Sequence, residues 1–200
     1  MSNSQSPPRR SAQEFLRHGA MLLLCFLATA GVTPAAAETV VEVRGASLSL
    51  DQDVYELDAR LEVSLPEDAR KAIEAGLTMR LDYEIELARV RNYMLDATVA
   101  RLVQSYELNY HALSQRYLVR NLNTGEQQDF GTLQAALERL TEVRGLPVID
   151  SALVEPGNAY EGRVRAVLDL NSGSEALRWI LFWTDDWSAT SEWYEWPLPP

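Results

Sequence analysis

Cysteine is almost missing from these 200 residues: Cys25 is the only one. It lies inside an N-terminal apolar run that reads as a removable leader, so the remaining chain has no disulfide, no thiol nucleophile and no thiolate metal ligand. Histidine is nearly as scarce, with His18 in the leader and His111 alone beyond it. One imidazole cannot build the clusters that hold zinc or copper, and no metal or other cofactor is expected. No glycine-rich phosphate cradle, P-loop or dinucleotide fingerprint occurs either. Nucleotide-dependent chemistry, thiol chemistry and zinc hydrolysis therefore drop out together.

The leader has the three parts that export requires. Arg9, Arg10 and Arg17 make a positive start, Ala20 to Val32 an apolar centre, and Ala35-Ala36-Ala37 a small-residue cleavage signature ahead of Glu38. Ala28-Thr29-Ala30 offers an earlier cut. The apolar run is shorter than the roughly 20 residues of a spanning helix, so cleavage and a periplasmic destination are expected. An uncleaved segment anchored in the inner membrane is the alternative. Residues 38–200 then form a single acidic domain. Of the 18 basic and 29 acidic residues, three and one lie in the leader, so 15 − 28 leaves that domain at −13. Such a charge disfavours nucleic acid and direct contact with anionic lipid as partners.

Period-two patterning dominates the rest. Tyr55, Leu57, Ala59, Leu61, Val63 and Leu65 alternate with Glu56, Asp58, Arg60 and Glu62, as a half-buried strand requires. Leu77, Met79, Leu81, Tyr83, Ile85 and Leu87 repeat the pattern against Arg80, Asp82, Glu84 and Glu86. Further strands are predicted over Thr98–Ala112, Tyr117–Leu122, Val148–Val154 and Tyr160–Leu170, with a short leading strand or two within Thr39–Leu50. Helices are predicted after Pro66 and after Thr132, where Leu133, Ala136, Leu137 and Leu140 recur at helical spacing. The fold class is α+β, mainly antiparallel β, a sandwich or partly open barrel with two helices.

Chemistry-bearing residues are few. His111 lies near Ser114, but no elbow motif accompanies the pair, and a hairpin-end imidazole bonded locally is the simpler reading. Asp82, Glu84 and Glu86 share one strand face, as a solvated face opposite Arg101 or another strand's arginine would. Asp51-Gln52-Asp53 begins like a calcium loop, yet Glu56 stands where its sharp-turn glycine belongs. Asp185-Asp186 lies among tryptophans, the one place where an apolar wall could raise a carboxyl pKa for glycoside hydrolysis. All five tryptophans, Trp179, Trp183, Trp187, Trp193 and Trp196, fall in the last quarter. Most suit closure of the core, and one exposed ring among Trp187, Trp193 and Tyr194 would suit a partner anchor. Arg89, Arg91 and Tyr93 form a second aromatic–cation segment.

The segment Tyr106-Glu-Leu-Asn-Tyr110-His111, with Tyr117-Leu-Val119, a Thr-Gly turn and the Phe130-Gly-Thr-Leu133 helix start, resembles an exported proteobacterial family, domain of unknown function 4390. The ending Ser191-Glu-Trp193-Tyr194-Glu-Trp196-Pro-Leu198 and Arg91-Asn-Tyr93 resemble the same family, while its prolines before the tail are replaced here by Ser174-Glu175-Ala176. The resemblance implies an exported protein and brings no activity, substrate, cofactor or catalytic residue with it. Members encoded near nitrogen-regulation sensor kinases imply a link to envelope signalling. The expectation is a non-catalytic periplasmic binding or protein-interaction module, with no catalytic residue. Its binding residues would be Trp187, Trp193, Tyr194, Arg89, Arg91 and Tyr93, and its partner an envelope protein or membrane-protein ectodomain. A carboxylate-dependent hydrolase of envelope glycans and a membrane-tethered accessory of a sensor kinase are the alternatives.

Overall fold

Alternation builds the framework. Each apolar/polar strand can bury one face only, and two such faces must meet to exclude water. The computed structural model describes residues 39–91, 96–171 and 187–198. Along the chain the elements are β1 (Val40–Asp51), β2 (Val54–Ser64), α1 (Glu67–Glu74), β3 (Thr78–Arg89), β4 (Ala97–His111) and β5 (Arg116–Asn121). Then come β6 (Gln127–Phe130), α2 (Leu133–Leu140), β7 (Glu142–Asp150), β8 (Tyr160–Asn171), β9 (Ala189–Thr190) and β10 (Tyr194–Pro197). Every strand pairing among the described residues is antiparallel.

Two open sheets result. The smaller has the order β1-β2-β7, and the larger β10-β8-β3-β4-β5-β6, with β9 also on β8. Leu57, Ala59 and Leu61 from the small sheet join Met79, Leu81, Tyr83, Ile85, Val164, Ala166 and Leu168 from the large one in a single buried cluster. The sandwich half of the sequence expectation is therefore the one that holds; neither sheet closes on itself. The two helices are the crossovers between sheets, α1 from β2 to β3 and α2 from β6 to β7. Each buries a short apolar stripe, Ala69, Ala72 and Ile73 on α1 and Leu133, Ala136, Leu137 and Leu140 on α2. Thr132 caps α2 by accepting from the Ala135 N–H at 3.2 Å.

Tyr83 connects these layers. Its ring is fully buried in the centre of β3, and its hydroxyl donates to the Leu140 carbonyl at 2.6 Å. That carbonyl belongs to the last turn of α2, where no intrahelical donor remains. One residue on, Thr141 accepts from the Leu61 N–H at 2.8 Å and leads into β7. Tyr117 performs a smaller version of the same task, its hydroxyl donating to Glu74 of α1 at 3.0 Å.

The last third departs from the sequence expectation at both ends of one strand: the strand predicted over Val148–Val154 stops at Asp150, whose side chain caps a 3-10 turn at Ser151–Leu153, and its start lies earlier. A strand is predicted only from Val148, after Gly145-Leu146-Pro147, whereas β7 begins at Glu142 and runs through both breakers. It does so because it is an edge strand, where proline's missing N–H costs no ladder bond. Gly145 takes φ +58°, and its N–H is satisfied by Asp58 Oδ1 at 2.9 Å. The leading strand is also longer than expected, twelve residues of β1 with an irregularity between Val43 and Gly45.

Truncating Leu81 or Leu108 to alanine is expected to cost about 2–5 kcal/mol in chemical denaturation, and Tyr83→Phe about 1–3 kcal/mol for the orphaned carbonyl. Burial first, then the hydrogen bond to Glu74, pushes the Tyr117 phenol up to about 12. Burial raises the Tyr83 phenol in the same direction. Folded pKa values above that of the free phenol mean stability that is complete below about pH 10. It is lost as pH rises toward the folded values. Alkaline unfolding should accordingly steepen above pH 10, and Tyr117→Phe should flatten that slope.

Candidate functional site

The aromatic tail meets the large sheet along the outer edge of β8. β9 pairs Thr190 with Val167, and β10 pairs Tyr194 with Val164 and Trp196 with Gly162. Alternation along β10 then decides each ring's fate. Tyr194 and Trp196 point to the core side, tilted against each other at 6.1 Å, and Trp187 packs against the same core. Trp196 lies on bare backbone: a Cβ on Gly162 would sit 2.5 Å from its ring. Trp193 goes to the other side and takes no part in the core cluster.

On that outer side Trp193 is half-buried beneath Arg165, whose guanidinium carbon stands 4.6 Å from the ring centroid. The same guanidinium donates to Glu84 Oε2 at 2.7 Å. The acids of β3 thus face arginines on flanking strands, Glu84 with Arg165 and Glu86 with Arg101. Asp82 is held by Arg80 at 2.9 Å, and all three acids are half-buried, so this face is one of ion pairs and not the solvated face that the sequence suggests. Half-burial makes the Glu84–Arg165–Trp193 stack firmer than a loose surface pair, because the partners hold one another in place.

Beside the stack lies an open groove of about 440 Å³, between β1 and the segment that carries β9 and β10. Val40, Val43, Glu42, Glu192, Trp193 and Tyr194 are among its lining residues. Both flanks are sheet edges: β1 ends the small sheet, and β10 ends the large one. Tyr194 also borders a second cleft of about 620 Å³ over β1, β2 and β7, where Arg60 and Arg144 share Glu142. Its pairing with Arg144 lowers the Glu142 carboxyl below its usual range.

The second predicted segment lies elsewhere. Arg89 ends β3 and binds Glu155 at 2.8 Å, and the Arg91 N–H donates to Asp96 at 3.1 Å. Arg89 pairs with Tyr160, five residues along β8 from Arg165, a separation of about 16 Å. The two segments do not form one cluster. Tyr93, Trp179, Trp183 and the Asp185–Asp186 pair fall outside the described residues, as does the leader with Cys25.

His111 is exposed at the β4–β5 turn, its Nδ1 2.8 Å from Ser114 Oγ. No carboxylate orients that imidazole among the described residues, so the pair is a local turn contact. Among the described residues no group of three His, Asp or Glu could hold a metal ion. None of the described helices is long and apolar enough to cross a membrane. Arg165 escaped sequence reasoning, and with it the arginine that Glu84 meets. Arg163 and Arg165 do alternate with Val164 and Ala166, but only the register of β3 against β8 says which acid they meet.

A family model, DUF4390 (Domain of unknown function), matches residues 38–197, and the chain belongs to that family. No curated protein and no solved structure matches it.

Because Trp196 rests on Gly162, Gly162→Ala should displace the ring and lower stability by about 1–3 kcal/mol, with loss of near-ultraviolet dichroism. Wild-type stability in that variant would mean that the ring does not sit on the strand.

Proposed function

We propose that this member of the DUF4390 family is a non-catalytic binding module of the cell envelope, exported by its N-terminal segment, that recognises a protein partner along the β8–β10 edge. The observation that carries the reading is the position of Trp193. Three described aromatics of the tail, Trp187, Tyr194 and Trp196, pack against the core, whereas Trp193 lies outside it. It is held from one side by Arg165, which is itself fixed by Glu84. An amphipathic ring ordered in this way before any partner arrives loses little conformational entropy on binding. Large aromatics and arginine are the residue types that carry most energy at interfaces. The net charge of −11 supports a protein partner over nucleic acid or an anionic bilayer surface.

The glycan-hydrolase alternative would depend on Asp185 or Asp186, and nothing in the described geometry favours it. Export also has a direct check: protein purified from the envelope should begin at Glu38, or at Gly31 if the earlier site is cut.

Trp193→Ala separates the binding role from a structural one. As a partner anchor, the ring should be dispensable for folding: the unfolding midpoint should stay nearly unchanged while capture of the partner by cross-linking in intact cells is lost. A fall in stability of about 3–5 kcal/mol with capture retained would place the ring in the core and end this reading.

A further inference from the structure

We infer that the edge of β1 at Val40–Val43 receives an extended basic segment of a partner protein as an added antiparallel strand, with the groove beside Trp193 holding its side chains. The inference rests on the reading of the domain as an interaction module, and names the chemistry of what it binds.

Three observations support it. First, β1 pairs with β2 alone, and among the described residues no backbone hydrogen bond reaches its other edge. An edge strand of this kind presents a row of unpaired N–H and C=O groups, the template for strand addition. The irregularity between Val43 and Gly45 ends the regular run, so an added strand would pair over residues 40–43, a length of about 13 Å.

Second, the edge faces a recess. Val40 to Val43 line the groove on one side, and Thr190 to Tyr194 line it on the other. Val40 is 48% exposed on the same face as Glu42, so the aliphatic stem of a Lys or Arg on the added strand would have a surface to cover. Trp193 and Tyr194 supply an apolar wall opposite.

Third, the groove has a sign. Its charged lining residues are Glu42 and Glu192, and no lysine or arginine lines it. Arg44 lies beyond the β1 irregularity and engages Glu42 at 2.6 Å and Glu62 at 2.7 Å. Glu192 makes no ion pair among the described residues. In a chain of net charge −11, a cationic segment is attracted over distance as well as at contact. A strand alternating apolar residues with Lys or Arg would present apolar groups to Val43, Trp193 and Tyr194, and basic ones to Glu192 and Glu42.

A second copy of the chain is the competing occupant, since antiparallel β1–β1 pairing could set Glu42 against Arg44. The groove's acidity favours the basic segment, because a second β1 brings Glu42 as well as Arg44.

The test titrates the isotope-labelled full chain with a short capped peptide of alternating Val and Lys, and with its Val/Glu counterpart, following backbone amides by NMR. The Val/Lys peptide should bind at least about tenfold more tightly than the Val/Glu peptide and slow exchange of amides within residues 40–43. Glu192→Gln should weaken Val/Lys binding, and Glu42→Lys with Glu192→Lys should reverse the preference. Both glutamates are exposed, so these variants should keep the wild-type amide spectrum elsewhere. Failure of both peptides to bind, equal affinity for the two, or binding without protection of 40–43 would overturn the inference. So would protection of those amides that grows with protein concentration in the absence of peptide, which would identify a second copy as the occupant. Loss of Val/Lys binding in Trp193→Ala with β1 protection unchanged in the wild type would uphold strand addition and the Trp193 reading together. Normal cellular capture alongside a charge-blind peptide would sink strand addition alone.

Discussion

The hydroxyl of Tyr83 reaches from the centre of β3 to the Leu140 carbonyl, and so ties the large sheet to the helix that leads into the small one. Tyr83 stands in β3, the strand with β8 on one side and β4 on the other, so it is fixed by ladders on both edges. Leu140 ends the helix that carries the chain from the large sheet to the small one. A buried phenol in such a place must find an acceptor, and a helix's last carbonyls must find a donor. Each solves the other's problem. The edge-on contact with Tyr106, 6.1 Å between centroids, fixes the ring's rotation as well.

With the centre closed in this manner, the ends of the sheets are left to short or irregular strands. β9 and β10 together bring only six residues to β8, and β1 pairs on one side alone. Edges are normally blunted by charge, bulges or covering segments. Here the irregularity after Val43 blunts most of β1 and leaves its first residues beside the Trp193 groove. The division of labour among the tail aromatics follows from simple alternation: Tyr194 and Trp196 serve the core side, and Trp193 is turned outward onto Arg165. The binding reading therefore needs no special loop or strained backbone, only a strand that stops one residue short of burying all its rings.

Much of the framework was legible in the sequence because burial on one face imposes a period of two. Leu77 through Leu87 alternate in the sequence and are buried in the fold on the predicted side. Thr132 announces α2 by its capping chemistry. The start of β7 was hidden because Gly145 and Pro147 are breakers in a central strand and tolerated in an edge strand, and edge status is a tertiary fact. Sheet membership was hidden for the same reason: nothing local in β2 says that its neighbours are β1 and β7 and not β3. At the site, the sequence offered Trp187, Trp193 and Tyr194 together. Only pairing of Tyr194 with Val164 decides which ring faces outward, and only the β3–β8 register brings Glu84 to Arg165. Arg89 and Arg91 stand apart from Trp193 in the sequence as in the fold, where Arg89 is held by Glu155 and the Arg91 backbone N–H donates to Asp96.

The central claim is that one edge of the larger sheet, and not the other, is where this protein meets its partner. A photo-activated cross-linking residue placed at Thr190, on the groove, can be compared in intact cells with the same residue at Gln127, on the exposed β6 edge opposite. A discrete protein adduct is expected from position 190 and none from position 127. An adduct from 127 alone, or the same adduct from both, would contradict it.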